Sequence, residues 1–465
     1  MKQYSPRLAA AIPFLFLLLS ACQKETKEMS FTESDATASR AKATPDRGFA
    51  DNNMVLYWNE KTATVLGAAM PQPFRARYFA IIEIAVHDAL NNIKPKYERY
   101  ALKDRAQHAD PDAAVASAAY WAIKGINRQG TFPLDTWYNE SLATIPDGES
   151  KDLGIAVGKK SAEAIIANRA NDGFTQVILA SQVPANGTEP GVYRSTLGYV
   201  RVNGVLTLTQ WPARSVPNWG TVLRPFVLES NQQFRPAGPY ALNTTEYTAD
   251  FNEVKAKGAR VDDTRTEVED QKAYFWSEAR PSILWNEFAR KALEYKKLDA
   301  WKTARFFALM HVSIAESVNT VLGANYHFYF WRPETAIRLA ATDGNNATVE
   351  DPNWLPFITE IPNAQITPPV PGYPNGFAAL GGTTAETLRL VFGSDATSID
   401  LTTTNPFVPA PKPSFHFSSY SQAARENALS MIYTGWDFRK SVLDGEHMGR
   451  QIAGYVFTHH FRPED

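Results

Sequence analysis

The 465-residue sequence predicts an all-α fold that is stabilised by a large packed core, and three observations lead to this prediction. Apolar residues recur every three or four positions over most of the chain, which is the spacing of one buried face of a helix. Hydrophobic residues make up 44% of the chain, with 11 Trp, 19 Tyr and 26 Phe, so a large core can form and wholesale disorder is excluded. The single cysteine, Cys22, excludes an intrachain disulfide and a thiolate metal site.

The balance of acidic and basic residues argues against one class of partner, the nucleic acids. The chain carries 47 basic and 49 acidic residues, which gives a formal net charge of −2. Nucleic-acid binding needs a concentrated basic surface, because Lys and Arg must neutralise the phosphates. We therefore expect no nucleic-acid partner.

The first element is a predicted lipoprotein signal peptide over residues 1–21. Lys2 and Arg7 precede an apolar run that extends from Leu8 to Leu19, which is the layout of a secretory signal. This run is too short to span a bilayer as a helix. We therefore expect the segment to be removed from the mature protein.

Residues 19–22 read Leu-Ser-Ala-Cys, which resembles a bacterial lipobox with Cys22 as the lipidation site. Residues 22–48 hold almost no large apolar side chains and are predicted to form a flexible tether. Two or more acyl chains on Cys22 would anchor the protein stably, so the membrane is an expected partner. The predicted location is the bacterial cell envelope, at the outer membrane.

Residues 49–181 are predicted to form an N-terminal helical bundle. A first helix over 73–93 places apolar side chains at three- and four-residue spacing. A second helix begins at Pro111, with Asp110 as its N-cap, and a third runs over 153–171. Consecutive amphipathic helices of this kind bury their apolar faces against one another.

Residues 182–246 are predicted to form a Pro-rich irregular connector. Prolines recur through this stretch and interrupt any helical periodicity. The connector is nevertheless expected to be ordered, because it contains aromatic residues that need burial. These are Tyr193, Trp211, Trp219, Phe226 and Phe234.

Residues 247–465 are predicted to form a second helical domain, and three windows in it carry chemical information. The windows are Asn-Tyr-His-Phe-Tyr-Phe-Trp-Arg-Pro from 325, Pro-Asn-Gly-Phe at 374–377, and Ser-Met-Ile-Tyr-Thr-Gly-Trp-Asp from 430. In order and approximate spacing they resemble the vanadium-dependent haloperoxidases and the related type-2 phosphatidic acid phosphatases. The resemblance implies an all-helical fold of two bundles, with an oxyanion pocket in the C-terminal bundle.

The resemblance also implies which positions form that pocket. Members of the family bind vanadate or a phosphoryl group with Lys and Arg from the first window, Ser-Gly-His from the second, and Arg and His from the third. Arg332 and Gly376 match this pattern. The family's Lys, Ser, acid–base His, Arg and vanadium-ligand or nucleophile His are replaced by Asn325, Asn375, Phe377, Met431 and Asp437.

These substitutions predict that vanadate, the family cofactor, is not bound, and no other cofactor or metal is expected. Each charge-assisted hydrogen bond contributes roughly 1.5–3 kcal/mol, so several lost donors remove most of the affinity. Asp437 adds a negative charge that repels an oxyanion. The spacing of the remaining histidines matches no metal-ligand signature, so a structural role is predicted for His311, His327, His416 and His447.

The leading interpretation is a lipid-anchored envelope protein of this superfamily that has lost vanadate and phosphoryl chemistry. It would bind or scaffold an envelope protein or a small molecule. One alternative is an active phosphatase or haloperoxidase-like enzyme, with Asp437 as acceptor or base and Arg332 as the anion site. Another is a glycan-binding envelope lipoprotein that uses exposed aromatic side chains. The sequence alone leaves open whether the protein is an enzyme.

Arg332 leads to a geometric prediction. A buried Arg cannot lose its proton, and an unpaired buried charge is strongly unfavourable. Asp437 is the carboxylate that the resemblance brings to the same pocket. We therefore predict that Arg332 and Asp437 pair directly or through one water, with Phe377, Met431 and Trp436 filling the remaining volume.

Overall fold

Thirteen helices and two β-hairpins make up the part of the chain that the computed structural model describes. The described residues are 54–67, 70–126, 132–175, 186–202, 205–210, 218–261, 263–277, 280–358, 368–403, 408 and 411–464. The predicted signal peptide over 1–21, the lipidation site at Cys22 and the tether over 22–48 lie outside these residues and stay predictions.

The described elements are mostly helices, and the strands form only two short hairpins. The predicted all-α fold class is therefore confirmed. The N-terminal helices are α1 (Met54–Gly67), α2 (Gln72–Ile93), α3 (Pro111–Gly125), α4 (Leu134–Ala143) and α5 (Glu149–Arg169). The later helices are α6 (Thr245–Lys257), α7 (Glu267–Trp276), α8 (Pro281–Tyr295), α9 (Ala300–Phe328), α10 (Pro333–Arg338), α11 (Gly376–Phe392), α12 (Tyr420–Tyr433) and α13 (Arg439–His459). The hairpins are β1 (Leu197–Val202) with β2 (Val205–Gln210), and β3 (Ala396–Thr402) with β4 (Ser414–Ser419).

The N-terminal helices predicted from periodicity are present as α2, α3 and α5. Asp110 is the N-cap of α3, and its carboxylate accepts a hydrogen bond from Ala113 N at 2.8 Å. Helix α5 begins earlier than predicted, at Glu149. Glu149 and Asp152 lie in its first turn, where their negative charges interact favourably with the positive end of the helix dipole and stabilise the helix.

Helices α1 and α4 were not expected from the apolar pattern. On the inner face of α1, Asn59 and Thr62 are buried beside apolar residues, so the stripe is interrupted by polar side chains. Helix α4 buries Leu134 and Ser141, and most of its other residues remain at least partly exposed. Both helices therefore lack the clear periodicity that identifies α2 and α3.

Part of the connector over 182–246 differs from the prediction, because it contains a regular β-hairpin. Strands β1 and β2 pair antiparallel, with Leu197 opposite Gln210. The signal that could have predicted this hairpin is Asn203-Gly204, a dipeptide favoured in two-residue turns between β-branched runs. The predicted domain boundaries on either side of the connector stay predictions.

The aromatic residues of the connector contribute to its order. Tyr193, Trp219 and Phe226 are buried, and Phe234 is half-buried. Trp211 lies outside the described residues. In the described part of the connector, aromatic burial therefore holds an irregular backbone in place, as predicted.

Helix α9 packs against α2, α11 and α13, so it connects the N-terminal helices with the C-terminal ones. It has 29 residues and is apolar enough to cross a membrane, yet its apolar window is completely buried inside the protein. Among the described residues it is the one helix with these properties. Its length and apolarity are thus accounted for by its position in the core.

Helices α11 and α13 pack with unusually close backbones. A Cβ atom on Gly449 would lie 2.1 Å from Ala379 O, and one on Gly445 would lie 2.4 Å from Asn375 O. Real Cβ atoms do not approach so closely, so glycine is required at both positions. The start of α11 therefore lies against the first turns of α13, where the predicted site residues are found.

Candidate functional site

Asp437 lies in the turn between α12 and α13, and only 1% of the residue is exposed. Gly435 permits this turn, because its φ is +81° and a Cβ there would lie 2.5 Å from Gly258 O. The backbone N of Asp437 donates to Met431 O at 3.3 Å. The turn thereby holds the carboxylate inside the protein, just before the start of α13.

Three side chains lie within hydrogen-bond distance of this carboxylate. Arg332 Nη1 donates to Asp437 Oδ2 at 3.0 Å, and Asn375 Nδ2 donates to the same oxygen at 2.7 Å. The hydroxyl of Ser441 lies 3.2 Å from Asp437 Oδ1 and 2.8 Å from Gly372 O, and these two acceptors share its single proton. The predicted direct pairing of Arg332 with Asp437 is therefore confirmed.

The guanidinium of Arg332 is fixed by the backbone as well. Its Nε donates to Val370 O at 2.8 Å, and Nη1 also donates to Trp436 O at 3.0 Å. Arg332 is the N-cap residue of α10, and Pro333 follows it as the first helical residue. Only 4% of the side chain is exposed, so its charge is balanced by one carboxylate and two carbonyls inside the protein.

Asn375 has two functions in this cluster. It is the N-cap of α11, where its Oδ1 accepts a hydrogen bond from Ala378 N at 2.7 Å while Nδ2 faces Asp437. Gly376 follows as the first residue of α11, and a Cβ there would meet only Val321 Cγ1, at 3.5 Å. The match of Gly376 to the family pattern therefore does not reflect a steric need in this chain.

Asn325 lies in the last turn of α9 and is 1% exposed. Its Nδ2 donates to Pro374 O at 2.9 Å, so this amide binds the backbone next to Asn375. Its Oδ1 is buried and accepts no hydrogen bond from the described residues. The structure thus brings Asn325 to the edge of the cluster without adding it to the donors around Asp437.

Three apolar residues are predicted to fill the volume beside the ion pair, and all three are at least half-buried. Met431 and Trp436 are fully buried, and Trp436 Nε1 donates to Ile358 O at 3.1 Å. Phe377 is half-buried, and its ring centroid lies 5.9 Å from that of Trp436. Phe377 therefore differs from the other two in keeping part of its ring exposed.

The electrostatics of Asp437 reflect two opposing effects. Burial raises the pKa of Asp437 above its usual value, whereas the charge of Arg332 and the hydrogen bonds from Asn375, Arg332 and Ser441 lower it. A buried carboxylate is tolerated only when it is paired and hydrogen-bonded in this way. The arrangement therefore ties the starts of α10, α11 and α13 together through one carboxylate.

Within the described parts of the chain, no group of three or more His, Cys, Asp or Glu side chains is placed to hold a metal ion. The Nε2 atom of buried His311 lies 2.9 Å from Asn286 Oδ1, and its ring stacks on Phe79. His416 lies on the surface, with Nδ1 2.9 Å from Asp400 Oδ1. These contacts agree with the structural role predicted for these two histidines.

Sequence reasoning missed Ser441 and the bond between Asn375 and Asp437. Ser441 follows Asp437 by four positions, a separation that places side chains together where a helix begins. Asn375 precedes Gly-Phe-Ala-Ala, which is an N-cap signal for α11. Both signals are local and could have placed these two residues at helix starts, but they do not indicate a contact with Asp437.

Comparison of the sequence with known proteins identifies a domain and a relative. Residues 305–463 match the family described as the VCPO second helical-bundle domain. Over 410 residues the chain is 22% identical to the vanadium chloroperoxidase of Curvularia inaequalis, a match that covers 73% of this chain. The match spans 65% of that relative's length, slightly less than two thirds.

The fold is similar to that of solved bacterial structures. The crystal structure of the first bacterial vanadium-dependent iodoperoxidase has a TM-score of 0.68 at 21% identity, and the similarity covers 89% of this chain and 97% of that one. A holo-type bacterial vanadium-dependent chloroperoxidase has a TM-score of 0.67 at 15% identity, over 88% of this chain and 97% of that one. The chain therefore shares the helical fold of these solved structures, and its residues 305–463 match the second helical-bundle domain of the family model.

Proposed function

We propose that this protein is a cell-envelope lipoprotein of the superfamily that does not bind vanadate and acts by binding or scaffolding. The observation that carries the proposal is the carboxylate of Asp437, which accepts hydrogen bonds from Arg332 and Asn375. In the family resemblance, this position belongs to the histidine that binds vanadium. The protein's own carboxylate therefore takes the place expected for the oxyanion.

The residues of the cluster do not fit vanadate. An oxyanion at Arg332 would have to displace Asp437 or share the guanidinium with it. Two negative charges at close range repel strongly in a buried site. Separating a buried ion pair costs about 3–5 kcal/mol, because one charge is left uncompensated. Vanadate would have to overcome one of these costs before gaining any favourable contact.

The neighbouring positions also lack the groups that haloperoxidase or phosphatase chemistry needs. Such chemistry requires donors that neutralise developing charge and a group that moves protons. Asn325 directs its amide to Pro374 O, and the side chain of Met431 is apolar. Phe377 carries no titratable group. These side chains therefore supply neither function.

The environment of Asp437 gives no support to the alternative in which it is a nucleophile. A carboxylate nucleophile must reach its substrate with a free oxygen. Asp437 is 1% exposed, its Oδ2 accepts hydrogen bonds from buried Arg332 and Asn375, and its Oδ1 lies 3.2 Å from the buried hydroxyl of Ser441. We therefore assign Asp437 a structural role, as the built-in anion for Arg332.

The proposal is tested by vanadate retention and by two activity assays. Purified protein is incubated with orthovanadate and desalted, and bound vanadium is measured by mass spectrometry. Bromide oxidation with peroxide and hydrolysis of p-nitrophenyl phosphate are measured on the same sample. We expect background vanadium and rates equal to those of heat-denatured protein, with a vanadium chloroperoxidase as the positive control. Stoichiometric vanadium or turnover above the denatured sample would contradict the proposal.

A further inference from the structure

A second buried polar cluster lies far along the chain from Asp437 and joins four helices. Asn59 of α1 donates from Nδ2 to Glu83 Oε1 of α2 at 2.9 Å and to Asn286 Oδ1 of α8 at 3.1 Å. Asn286 Nδ2 donates back to Asn59 Oδ1 at 3.0 Å, and His311 of α9 lies 2.9 Å from Asn286 Oδ1. All four residues are at most 2% exposed. The haloperoxidase resemblance gives this cluster no role.

The hydrogen bonds fix the protonation state of His311. Asn286 Oδ1 can only accept, so His311 must carry a proton on Nε2 and donate it to that oxygen. Its buried Nδ1 has no partner among the described residues, and an imidazolium would place an unpaired N–H there. Burial accordingly lowers the pKa of His311 to about 3. His311 is therefore neutral, and Glu83 is the member of the cluster that can change its charge near neutral pH.

Glu83 is surrounded by groups that compensate a negative charge only weakly. Burial raises the pKa of Glu83 to about 7, while the bond from Asn59 and the charge of Arg290 act against this shift. Arg290 Nη2 donates to the exposed carboxylate of Glu60 at 2.8 Å, and its Nη1 donates to Asn59 Oδ1 at 3.4 Å. The ionisable groups on the neighbouring helices include Glu60 of α1, His311 of α9, and Glu287, Arg290 and Glu294 of α8. Lys124 of α3 and Arg169 of α5 pair instead with Asp135 and Asp172.

The cluster matters for α1 because it attaches the middle of this helix to α2 and α8, in addition to the bond from Arg75 Nε of α2 to Leu66 O near the end of α1. Asn59 makes its hydrogen bonds from the middle of α1, and Arg290 of α8 donates to Leu56 O on the same helix. When Glu83 is protonated, no net charge is buried between these helices. When Glu83 is ionised, separation of α1 would let water reach the carboxylate and relieve its desolvation.

We propose that Glu83 is an internal proton-binding site that keeps helix α1 docked when protonated and favours its release when ionised. Helix α1 is the first described helix after the predicted lipid tether. Release of α1 would therefore free the helix that follows the predicted lipid-anchored tether in the chain. The ligand of this site is a proton taken up as the surrounding medium becomes acidic.

The sign of the effect follows from linkage. A carboxyl whose folded pKa is about 7 and whose unfolded value is 4.5 holds its proton more tightly when buried. Its contribution to α1 docking is fully present below pH 4.5 and is lost as the pH rises through about 7. The difference of pKa values corresponds to a change on the order of 10²-fold in the opening equilibrium between pH 5 and pH 8.

Hydrogen exchange of α1 peptides tests the proposal on the full protein. Exchange is measured by mass spectrometry from pH 5 to pH 8 and corrected for the intrinsic rate at each pH. The readout is the equilibrium constant for opening of α1 in wild type divided by that in Glu83→Gln. His311 is present in both proteins, so its contribution cancels in this ratio. We expect this ratio to rise on the order of 10²-fold with pH. A ratio that stays constant with pH would show that Glu83 is only a neutral hydrogen-bonding group.

Two further variants complete the test. Glu316→Gln is the matched control, because Glu316 is equally buried but accepts its hydrogen bonds from Val227 N and Leu228 N, away from α1. It should leave the pH dependence of α1 exchange unchanged. If Glu83→Gln does not fold, Arg290→Met replaces it: losing the cation should move the α1 transition to higher pH. A shift to lower pH, or none, would overturn the proposal.

Discussion

Asn375 and Asp437 are 62 positions apart in the chain, and a 2.7 Å hydrogen bond joins their side chains where two helices begin. Asn375 caps α11, and Asp437 lies just before the first residue of α13. The starts of both helices carry partial positive charge from their dipoles. The buried carboxylate is thus stabilised by Arg332, by two neutral donors and by the orientation of the helices around it.

Removal of the Asp437 side chain should destabilise the protein strongly and leave a site for a small carboxylate. In Asp437→Ala, Arg332 and Asn375 lose their buried acceptor, so we expect a loss of about 3–5 kcal/mol in the free energy of unfolding. Sodium formate should restore part of this loss, because it can enter the vacated position. Urea unfolding with formate or with chloride at equal ionic strength measures both effects.

The matched control for that experiment is Asp135→Ala. The side chain of Asp135 is 72% exposed and pairs with Lys124, and such surface pairs contribute at most about 1 kcal/mol. Formate should have no specific effect on this variant. Equal stabilisation of Asp437→Ala by formate and chloride would contradict a vacated carboxylate site.

Replacement of Asp437 by His should not restore vanadate binding. Asp437→His removes the repelling carboxylate, but Asn325, Phe377 and Met431 still provide no cation and no proton donor at their positions. We expect background vanadium retention and no bromide oxidation by the single variant. Greater retention is expected when Lys, Ser, His and Arg are also introduced at positions 325, 375, 377 and 431. Full activity from Asp437→His alone would show that these positions matter little.

Close packing of α11 and α13 should make Gly449 intolerant of a side chain. In Gly449→Ala the new Cβ would meet Ala379 O at 2.1 Å, and such overpacking usually costs about 1–3 kcal/mol. Gly454→Ala is the control on the same helix, because a Cβ there meets nothing within 4 Å. It should be neutral or stabilising by up to about 1 kcal/mol through helix propensity. Thermal unfolding of the two variants should therefore give shifts of opposite sign or very different size.

Lipidation of Cys22 is predicted to anchor the mature protein. Each buried CH2 group contributes about 0.8 kcal/mol, so two or three acyl chains give stable membrane attachment. Intact mass spectrometry of detergent-extracted protein should find acyl chains on Cys22, and Cys22→Ala should fractionate as a soluble species. Wild-type protein that is freely soluble would contradict the prediction.

Much of the helical fold could be predicted because its signals are local. The N-cap Asp110 and the periodicity of α2 are contained within a few turns of sequence, and both are found in the structure. Helix α1 was not predicted because the polar residues Asn59 and Thr62 interrupt the apolar pattern of its inner face. The hydrogen bonds of buried Asn59 are made with Glu83 of α2 and Asn286 of α8, which no local pattern reveals.

The ion pair at the centre of the candidate site could be predicted because a buried charge can be satisfied by few kinds of partner. A buried Arg332 needs an anion, and the resemblance brings Asp437 to the same place, so their contact follows from electrostatics. The donors Asn375 and Ser441 were not predicted, because a neutral side chain can bind many groups equally well. Their roles depend on the close approach of α11 and α13, which only the assembled structure defines.

Helix α9 also has a consequence for the chain before it folds. An unfolded chain that passes a membrane insertion machinery would present this segment as an apolar stretch long enough to span a bilayer. Glu316 lies near its middle, and an acidic residue at that depth opposes insertion by about 2.5–3.5 kcal/mol. The carboxylate that later accepts hydrogen bonds from Val227 N and Leu228 N therefore also biases the nascent segment towards translocation and away from the lipid phase.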